Sequence, residues 1–203
     1  YCFANDNVML DRFSTQQKYM ANRSVYQGTG STMGGSGSVN GMVYTRGDKA
    51  DFDAWPKGWQ WQDNEAAFSA LEQRIYTQPR AATKFTQAAI DSALDIGMQH
   101  KDGLNDGDLA GFIGHNAMNY QNDKRCSSYV AFIHQATQNQ ALANLTIINH
   151  CLTHKVIIEN QQAVAVMVKI DNQLVRINVE REIILCSGAL ETPKLLMLSG
   201  IGP

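Results

Sequence analysis

The sequence predicts a mixed α/β (α+β) fold, and three observations support this prediction. Hydrophobic residues make up 44% of the 203 residues, which is enough apolar side chain to build a substantial core. Two segments in the first half repeat apolar side chains at helical spacing, whereas those after Leu145 are short, β-branched and separated by polar turns. The chain then closes with an apolar run, a glycine and a helix-like segment, the pattern of a strand, a turn and a helix.

Two amphipathic helices are predicted in the first half of the chain. The first covers residues 64–76, with Asn64 as its N-terminal cap. Its apolar face is formed by Phe68, Leu71 and Ile75. The second covers residues 83–96 and is followed by Gly97 as a C-terminal cap. Residues 1–27 are polar and weakly patterned, so no element is predicted for them.

Short strands with at least one hairpin are predicted after Leu145, because β-branched runs there are separated by polar turns. The predicted strands cover residues 145–150, 154–160, 163–170, 174–179 and 182–188. The last one is apolar throughout its core, as expected for a strand buried on both faces. In the helix after it, Thr192 is the predicted cap, Pro193 the first helical residue and Gly200 the end.

The composition predicts no nucleic-acid partner and no membrane partner. The formal net charge is -2 and acids and bases are interspersed, so no basic patch is available for nucleic acid or an anionic membrane. The longest apolar runs are interrupted well short of the ~20 residues that span a bilayer, so no membrane span is predicted. Glycosylation sequons begin at Asn22 and Asn144, but they matter only in a secreted chain, and the compartment is left open.

No metal site is predicted either. The four cysteines lack C-x-x-C spacing and are interpreted as isolated buried thiols: Cys2, Cys126, Cys151 and Cys186. His150 and His154 are four residues apart, a spacing that pairs two ligands only on a helix, and their segment is rich in β-formers. Residues 101–111 hold several aspartates, but Leu104 breaks the oxygen-ligand alternation of a calcium loop, so a solvated turn is predicted.

The most distinctive stretch is GSTMGGSGSVNGMVY, residues 30–44. A flexible linker is also rich in glycine and serine, yet it has no need of Val39, Met42 and Val43. A chain that lies against a bulky ligand needs glycines where a Cβ would intrude and apolar anchors beside them. No lysine follows the glycines as in a Walker A loop, and the spacing from Gly28 misses a G-x-G-x-x-G fingerprint by one residue.

This stretch is the first of two long sequence patterns. It comprises Gly34, Gly35, Ser36, Gly37, Ser38, Val39 and Asn40, followed by Tyr44, Gly47 and Asp53. The second comprises Gly188, Thr192, Pro193, Leu195, Leu196, Ser199, Gly200, Ile201 and Gly202. Together they resemble the two signatures of the glucose-methanol-choline (GMC) family of flavin oxidoreductases, from which Ser31 and Met33 depart. Residues 124–133 (KRCSSYVAFI) are similar to the family's arginine-serine segment, and residues 144–166 to its strand pair near the adenosine end of FAD.

The resemblance implies that residues 1–203 are a partial FAD-binding domain, the central part of a domain of the GMC type. It implies the N-terminal half of such an enzyme, without the first dinucleotide-binding βαβ unit and without the C-terminal substrate domain. The cofactor-binding residues implied are Gly34, Gly35, Ser36, Asn40, Gly41, Met42, Val43, Thr153 and Gly188. Some family members carry a histidine bonded to FAD where Val39 stands, so noncovalent FAD is implied.

The function implied is oxidation of the CH-OH group of an alcohol or sugar by hydride transfer to the flavin. No catalytic residue is assigned, because the catalytic base of the family is expected beyond Pro203, and the isolated fragment is expected to be inactive. The alternative is a non-catalytic homologue or interaction module that retains the flavoprotein fold, which Ser31 and Met33 favour mildly. An unrelated β-rich binding domain would require both signatures to be accidental. Substrate, electron acceptor and oligomeric state are left open.

Overall fold

The protein is described by a computed structural model, which covers residues 5–138 and 143–203. The chain divides into two compact units, Tyr1–Ala143 and Asn144–Pro203. Each unit mixes helices and strands, which confirms the predicted fold class. Cys2 lies outside the described residues.

The first unit contains eight short strands and four short to medium helices among its described residues. The strands are β1 (Met9–Leu10), β2 (Thr29–Gly30), β3 (Val43–Tyr44), β4 (Thr77–Pro79), β5 (Gln99–His100), β6 (Phe112–Ile113), β7 (Ala117–Gln121) and β8 (Lys124–Arg125). The helices are α1 (Lys49–Asp53), α2 (Trp61–Ile75), α3 (Lys84–Asp95) and α4 (Gln135–Gln138), with a π-helical segment over Tyr129–His134 before α4.

Strand β7 organises the sheet that carries the glycine-rich stretch. It pairs antiparallel with β3, β4 and β8, so three separate parts of the chain meet on one strand. The core beside this sheet contains Ile75, Cys126 and Ala131, with Tyr44 packed against them. Residues 126–128 connect β8 to the π-helical segment, so the pairing of β8 with β7 positions the start of that segment.

Helix α2 begins earlier than the sequence predicts. The cap is Gln60, whose N-H donates to Asp63 Oδ2 at 3.0 Å, so the helix starts at Trp61. Asn64, the predicted cap, lies in the first turn and its side-chain amide donates back to the Gln60 carbonyl at 2.8 Å. An amide inside the first turn satisfies a carbonyl rather than the free N-H groups of the helix start.

The predicted apolar face of α2 is only partly buried. Ile75 and Trp61 are buried and Phe68 packs edge-on against Phe52 at 6.0 Å between ring centroids, whereas Leu71 remains 38% exposed. The prediction missed Trp61 because the helix was expected to start after it. The aromatic cluster of α1 and α2 therefore involves the first half of α2, through Trp61 and Phe68, whereas Ile75 at its end packs with Cys126 and Ala131.

Helix α3 confirms the second helix prediction, including both ends. Thr83 is the cap, and its Oγ1 accepts a hydrogen bond from the Thr86 N-H at 3.1 Å. At the other end Gly97 takes a φ of +93°, and its N-H donates to the Leu94 carbonyl. Glycine adopts this left-handed conformation without a Cβ penalty, so it closes the helix.

The aspartates of residues 101–111 are used internally. Lys101 Nζ lies 2.8 Å from Asp106 Oδ2 and 3.6 Å from Asp108 Oδ2, and it sits 4.0 Å from the centroid of the Phe112 ring. The Lys101 ammonium lowers the pKa of Asp106 through their hydrogen bond. The aspartates of this segment therefore pair with Lys101, and the segment forms the connection between β5 and β6, which pair in parallel.

The second unit is a three-stranded antiparallel meander followed by a helix. The strands are β9 (Leu152–Glu159), β10 (Gln162–Ile170) and β11 (Gln173–Asn178), in the order β11-β10-β9, and the helix is α5 (Gly188–Leu198). The two turns are Asn160–Gln161 and Asp171–Asn172, and all four residues have positive φ. Two-residue turns of this kind match the twist of the strands they join, which confirms the predicted hairpins.

Two predicted strands are absent from the second unit. Residues 145–150 and 182–187 form no strand, and Ile184 is 74% exposed. A strand needs a neighbour for its backbone N-H and C=O groups, and no described residue pairs with either segment. The prediction of strands from apolar, β-branched composition is therefore wrong for these two segments.

Helix α5 begins four residues before its predicted cap. The cap is Ser187, and Thr192 Oγ1 instead accepts a hydrogen bond from the Ser187 N-H at 3.1 Å. Pro193 accordingly lies inside the helix, where its ring nitrogen supplies no N-H for the carbonyl one turn earlier. The end is as predicted, since Gly200 has a φ of +82° just past the last turn.

The cap of α3 generates a prediction for local stability. Thr83→Ala removes the acceptor for the Thr86 N-H, a loss of about 1 kcal/mol. We expect amide exchange in the first turn of α3 to accelerate by about fivefold in hydrogen-exchange measurements on the full-length protein. Thr83→Ser keeps the hydroxyl and serves as the control. Unchanged exchange in Thr83→Ala would show that the cap does not hold the helix start.

Candidate functional site

The glycine-rich loop, residues 34–42, is a compact turn held by its own hydrogen bonds. Gly34 and Gly35 have φ values of +89° and +56°, and a 3-10 turn follows over Gly35–Ser38. The Asn40 N-H donates to the Ser36 carbonyl at 3.0 Å. Ser36 Oγ accepts from the Gly30 N-H at 3.0 Å, which ties the loop to β2. These bonds distinguish the loop from a flexible linker.

Gly34 is required by packing within the protein itself. A Cβ at this position would overlap Ser38 Oγ and would lie 3.2 Å from Ser127 Oγ and 3.3 Å from Tyr129 Cβ. Its φ of +89° is also a conformation that L-residues with a side chain rarely adopt. The absence of a side chain here therefore serves the approach of residues 127–129 to the loop.

The other glycines of the loop face open space. A Cβ added at Gly35, Gly37 or Gly41 would meet no atom within 4 Å. These positions leave a surface on which bare backbone is accessible, and a planar ligand could lie against it without displacing any side chain. The glycines of the loop thus serve two purposes. Gly34 lets other protein residues pack closely against the loop, and the remaining glycines leave backbone accessible to solvent or a ligand.

Residues 125–128 hold the loop at both ends. Arg125 Nη1 donates to Asn40 Oδ1 at 2.6 Å and to the Gly37 carbonyl at 3.2 Å, and Nη2 donates to the Asn40 carbonyl at 2.5 Å. Ser128 Oγ donates to the Gly34 carbonyl at 3.3 Å. The sequence identified this arginine-serine segment but assigned it no role, because its partners lie 85 or more residues away along the chain.

The apolar residues at the end of the loop differ in burial. Val39 is only 7% exposed, as expected for an anchor, and Met42 is half-buried with a φ of +65°. Val43 is 55% exposed, so its prediction as a packed anchor is wrong. Val43 pairs with Met118 in the sheet. Backbone pairing rather than side-chain packing holds this position.

A buried polar cluster supports the sheet beneath the loop. Arg46 binds the Glu72 carboxylate through Nε at 2.5 Å and Nη2 at 2.6 Å, and its guanidinium lies 5.3 Å from the Phe68 ring centroid. The Tyr44 hydroxyl, on β3, is buried without a hydrogen-bond partner among the described residues, as is Asn119 Oδ1 on β7. Burial and the nearby Glu72 carboxylate raise the pKa of Tyr44 to about 12.

The remaining predicted site residues, Thr153 and Gly188, belong to the second unit. Thr153 lies in β9 opposite Val168 and is half-buried. Gly188 opens α5 with a φ of +90°, and a Cβ there would meet nothing within 4 Å. The loop residues Gly34 to Val43 therefore lie in the first unit, whereas Thr153 and Gly188 lie on two different elements of the second unit, β9 and α5.

Cysteines and histidines form no further site in the part of the chain that is described. The residues 5–138 and 143–203 contain no group of three side chains that could hold a metal ion. Cys126 is 1% exposed and burial raises its pKa, but Cys151 is half-buried and Cys186 exposed, so of the three described cysteines Cys126 alone fits the predicted buried thiol. Over the same described residues, no helix combines the length and the apolar character needed to cross a bilayer.

A separate cleft of about 380 Å³ lies between α2 and the π-helical segment. It is lined by Ala70, Gln73, Arg74, Tyr76 and Ala131. The Arg74 guanidinium stacks over Phe132 beside it, 5.1 Å from the ring centroid. None of the predicted site residues lines this cleft, so it is distinct from the surface of the glycine-rich loop.

Comparison with known proteins identifies the class to which this fold and loop belong. The family model described as GMC oxidoreductase matches residues 13–203. The chain therefore belongs to the GMC oxidoreductase family, as the two signatures predicted.

Individual relatives agree with this assignment. An oxygen-dependent choline dehydrogenase of Photobacterium profundum is 30% identical over 95% of this chain and 37% of its own length. An alcohol dehydrogenase [acceptor] of Pseudomonas putida is 34% identical over 92% of this chain and 37% of its own length. The chain thus spans little more than a third of the curated relatives it matches.

A solved structure shares the fold over nearly the whole chain. Pyridoxine 4-oxidase from Mesorbium loti superposes with a TM-score of 0.88 at 26% identity, covering 97% of this chain and 42% of that one. An FAD-dependent oxidoreductase from Chaetomium thermophilum has a TM-score of 0.82 at 23% identity, covering 97% of this chain and 39% of that one.

The different surroundings of the loop glycines predict that alanine lowers the thermal stability at Gly34 but not at Gly37. Gly34→Ala introduces a steric overlap and a left-handed alanine, which we expect to cost about 3 kcal/mol and to lower the Tm of the full-length protein by at least about 5 °C. Gly37→Ala adds a Cβ in open space and should remain within about 1 °C of wild type. Equal Tm values for the two variants in thermal unfolding would contradict the packing role of Gly34.

Proposed function

We propose that this chain is part of an FAD-dependent GMC oxidoreductase that oxidises the CH-OH group of an alcohol or sugar. The observation that carries the proposal is the open surface at Gly35, Gly37 and Gly41, formed within a loop that hydrogen bonds from the rest of the first unit hold in shape. The names of the relatives, choline dehydrogenase, alcohol dehydrogenase and pyridoxine 4-oxidase, support the choice of a hydroxyl-bearing small molecule as substrate.

We propose further that residues 1–203 are the central part of the FAD-binding domain of a longer enzyme. Residues 182–187 support this proposal, because most of them are apolar and they have no strand partner among the described residues. A buried strand of a parallel sheet has this composition, and its neighbours would come from the dinucleotide-binding βαβ unit of the whole protein. The substrate domain and the catalytic base would likewise lie beyond Pro203.

The residues proposed to hold FAD fit a flat and partly anionic ligand. Those of the glycine-rich loop offer backbone without side chains, a serine hydroxyl, an amide and two apolar flanks: Gly34, Gly35, Ser36, Asn40, Gly41, Met42 and Val43. Thr153 and Gly188 would contribute from the second unit, where Gly188 leaves the start of α5 open. When bound, the flavin supplies the hydride acceptor for oxidation of the substrate carbon.

The protein's own residues would bind and orient the cofactor without bonding to it. Val39 is a buried hydrocarbon side chain and offers no nucleophile, which supports noncovalent FAD. Arg125 and Ser128 keep the loop in one shape, so the ligand would meet a surface that is already formed. The exposed side chain of Val43 would provide apolar contact on one side of the ligand.

Bulk at Gly35 is expected to prevent flavin retention. Gly35→Val places a branched side chain in the open space beside the loop and should reduce the flavin that copurifies with the full-length protein by about tenfold or more. Gly58→Val is the matched control, because Gly58 also has a positive φ of +89° and open space at its Cβ but lies outside the loop. Equal flavin content in the two variants would remove the proposed contact.

The reaction and the attachment can be tested on the full-length protein. Acid precipitation should leave the flavin in the supernatant, and yellow protein in the pellet would show a covalent bond. Reduction of a dye acceptor should follow addition of choline, glucose or a primary alcohol. Bound FAD without turnover on a broad panel of alcohols would instead favour the non-catalytic homologue, which the departures at Ser31 and Met33 allow.

A further inference from the structure

The side-chain amide of Asn40 is held in one of its two orientations. Oδ1 accepts hydrogen bonds from the Met42 N-H at 3.0 Å and from Arg125 Nη1 at 2.6 Å. A backbone N-H and a guanidinium can only donate. Rotating the amide by half a turn would place its NH2 group against both donors, which would replace two hydrogen bonds by two repulsive contacts. The two neighbours together therefore fix the oxygen on their side.

The NH2 group of Asn40 is consequently left free to donate. Asn40 Nδ2 has no hydrogen-bond partner within residues 5–138 and 143–203, and the residue is exposed. Its neighbours in the loop, Gly37 and Gly41, carry no side chains that could cover it, and a Cβ at either would meet nothing within 4 Å. The loop thus presents two amide hydrogens beside its accessible backbone.

Arg125 is itself fixed before it acts on Asn40. It lies in β8, where it pairs with Tyr120 of β7, so its backbone position is set by the central strand of the sheet. Its guanidinium donates to the Gly37 and Asn40 carbonyls as well as to Oδ1, and no carboxylate pairs with it among the described residues. A planar guanidinium with several N-H donors in fixed directions can bond at once to the Gly37 carbonyl, the Asn40 carbonyl and Asn40 Oδ1.

We propose that Arg125 is a positioning residue that fixes the Asn40 amide as a hydrogen-bond donor toward FAD. The inference rests on the proposed function, because FAD is the ligand assigned to the loop. FAD offers acceptors of the required kind in its ring carbonyl oxygens, ring nitrogens and phosphate oxygens. Arg125 acts through Asn40 and does not itself contact the cofactor.

Two variants separate donation from folding. Asn40→Asp keeps an oxygen for Arg125 and for the Met42 N-H, and adds an attractive charge, but it has no N-H to donate. Arg125→Met keeps much of the side-chain length and removes every donor. Arg125→Lys restores one donor and keeps the charge, so it tests rescue even where Arg125→Met folds poorly.

The second unit supplies a matched control pair. Arg176 Nε donates to Asn178 Oδ1 at 3.0 Å, which is the same side-chain combination, and Arg176 Nη2 also donates to Glu159 Oε1 at 3.0 Å. Asn178→Asp and Arg176→Met therefore repeat the chemical changes at an arginine-asparagine pair that lies outside the glycine-rich loop.

The experiment is a titration of the flavin-free full-length protein with FAD, together with thermal unfolding of each variant. We expect Asn40→Asp and Arg125→Met each to raise the Kd for FAD by about tenfold, with an intermediate value for Arg125→Lys. Asn40→Asp should keep a Tm within about 1 °C of wild type, because its bonds to Arg125 and Met42 remain. The control variants should keep the wild-type Kd.

A double-mutant cycle decides whether Arg125 acts through Asn40. In an Asn40→Ala background, Arg125→Met should change the Kd for FAD by less than about twofold, while its effect on Tm persists because the contacts to the Gly37 and Asn40 carbonyls are still lost. A full tenfold effect in that background, or wild-type affinity in Asn40→Asp, overturns the inference while the proposed function stands. If wild-type protein binds no FAD, both are overturned.

Discussion

The shape of the glycine-rich loop depends on one set of hydrogen bonds, those that Arg125 donates to Asn40 and Gly37. A loop with so many glycines has a large conformational entropy to lose, and its internal bonds alone restrain only a few of its residues. Arg125 brings three donors from β8, whose position is fixed by pairing with β7. Through Arg125, the sheet therefore restrains the glycine-rich loop, whose own residues are conformationally free.

A partly buried charge pair links the chain just after β3 to helix α2. Arg46 and Glu72 bond through two nitrogens and two oxygens, with side-chain exposures of 12% and 19%. Such a pair stabilises little by itself, because desolvation offsets much of the attraction, but loss of one partner leaves an uncompensated charge. The aromatic rings of Phe68 and Trp61 lie against the guanidinium and complete its environment.

The sequence predicted those elements whose determinants are local. Thr83 and Gly97 bound α3 because a cap and a left-handed glycine act within one turn, and the β9–β11 hairpins follow from their two-residue turns. The predicted start of α2 is wrong because the Asp63 carboxylate accepts a hydrogen bond from the Gln60 N-H, which makes Gln60 the cap in place of Asn64. Residues 182–187 failed as a strand because pairing requires a second segment, which no local pattern reveals.

The site was predictable in its composition and not in its contacts. The glycines, Asn40 and the arginine-serine segment were all visible in the sequence, but the bond between Arg125 and Asn40 joins positions 85 residues apart. Nor does the sequence distinguish Gly34, which makes room for Tyr129, from Gly35, which faces open space. That distinction depends on which neighbour approaches each Cα.

The separation between Arg125 and Asn40 also bears on the order of folding. The β9–β11 meander closes through turns of two residues, so its contacts form with little loss of chain entropy. The loop must await the return of β8 after a detour through three helices and several strands, and contacts of such long range are slow to form. When the complete chain refolds from the denatured state, the β9–β11 hairpins should therefore form early, and the glycine-rich loop should reach its final shape among the last parts of the first unit.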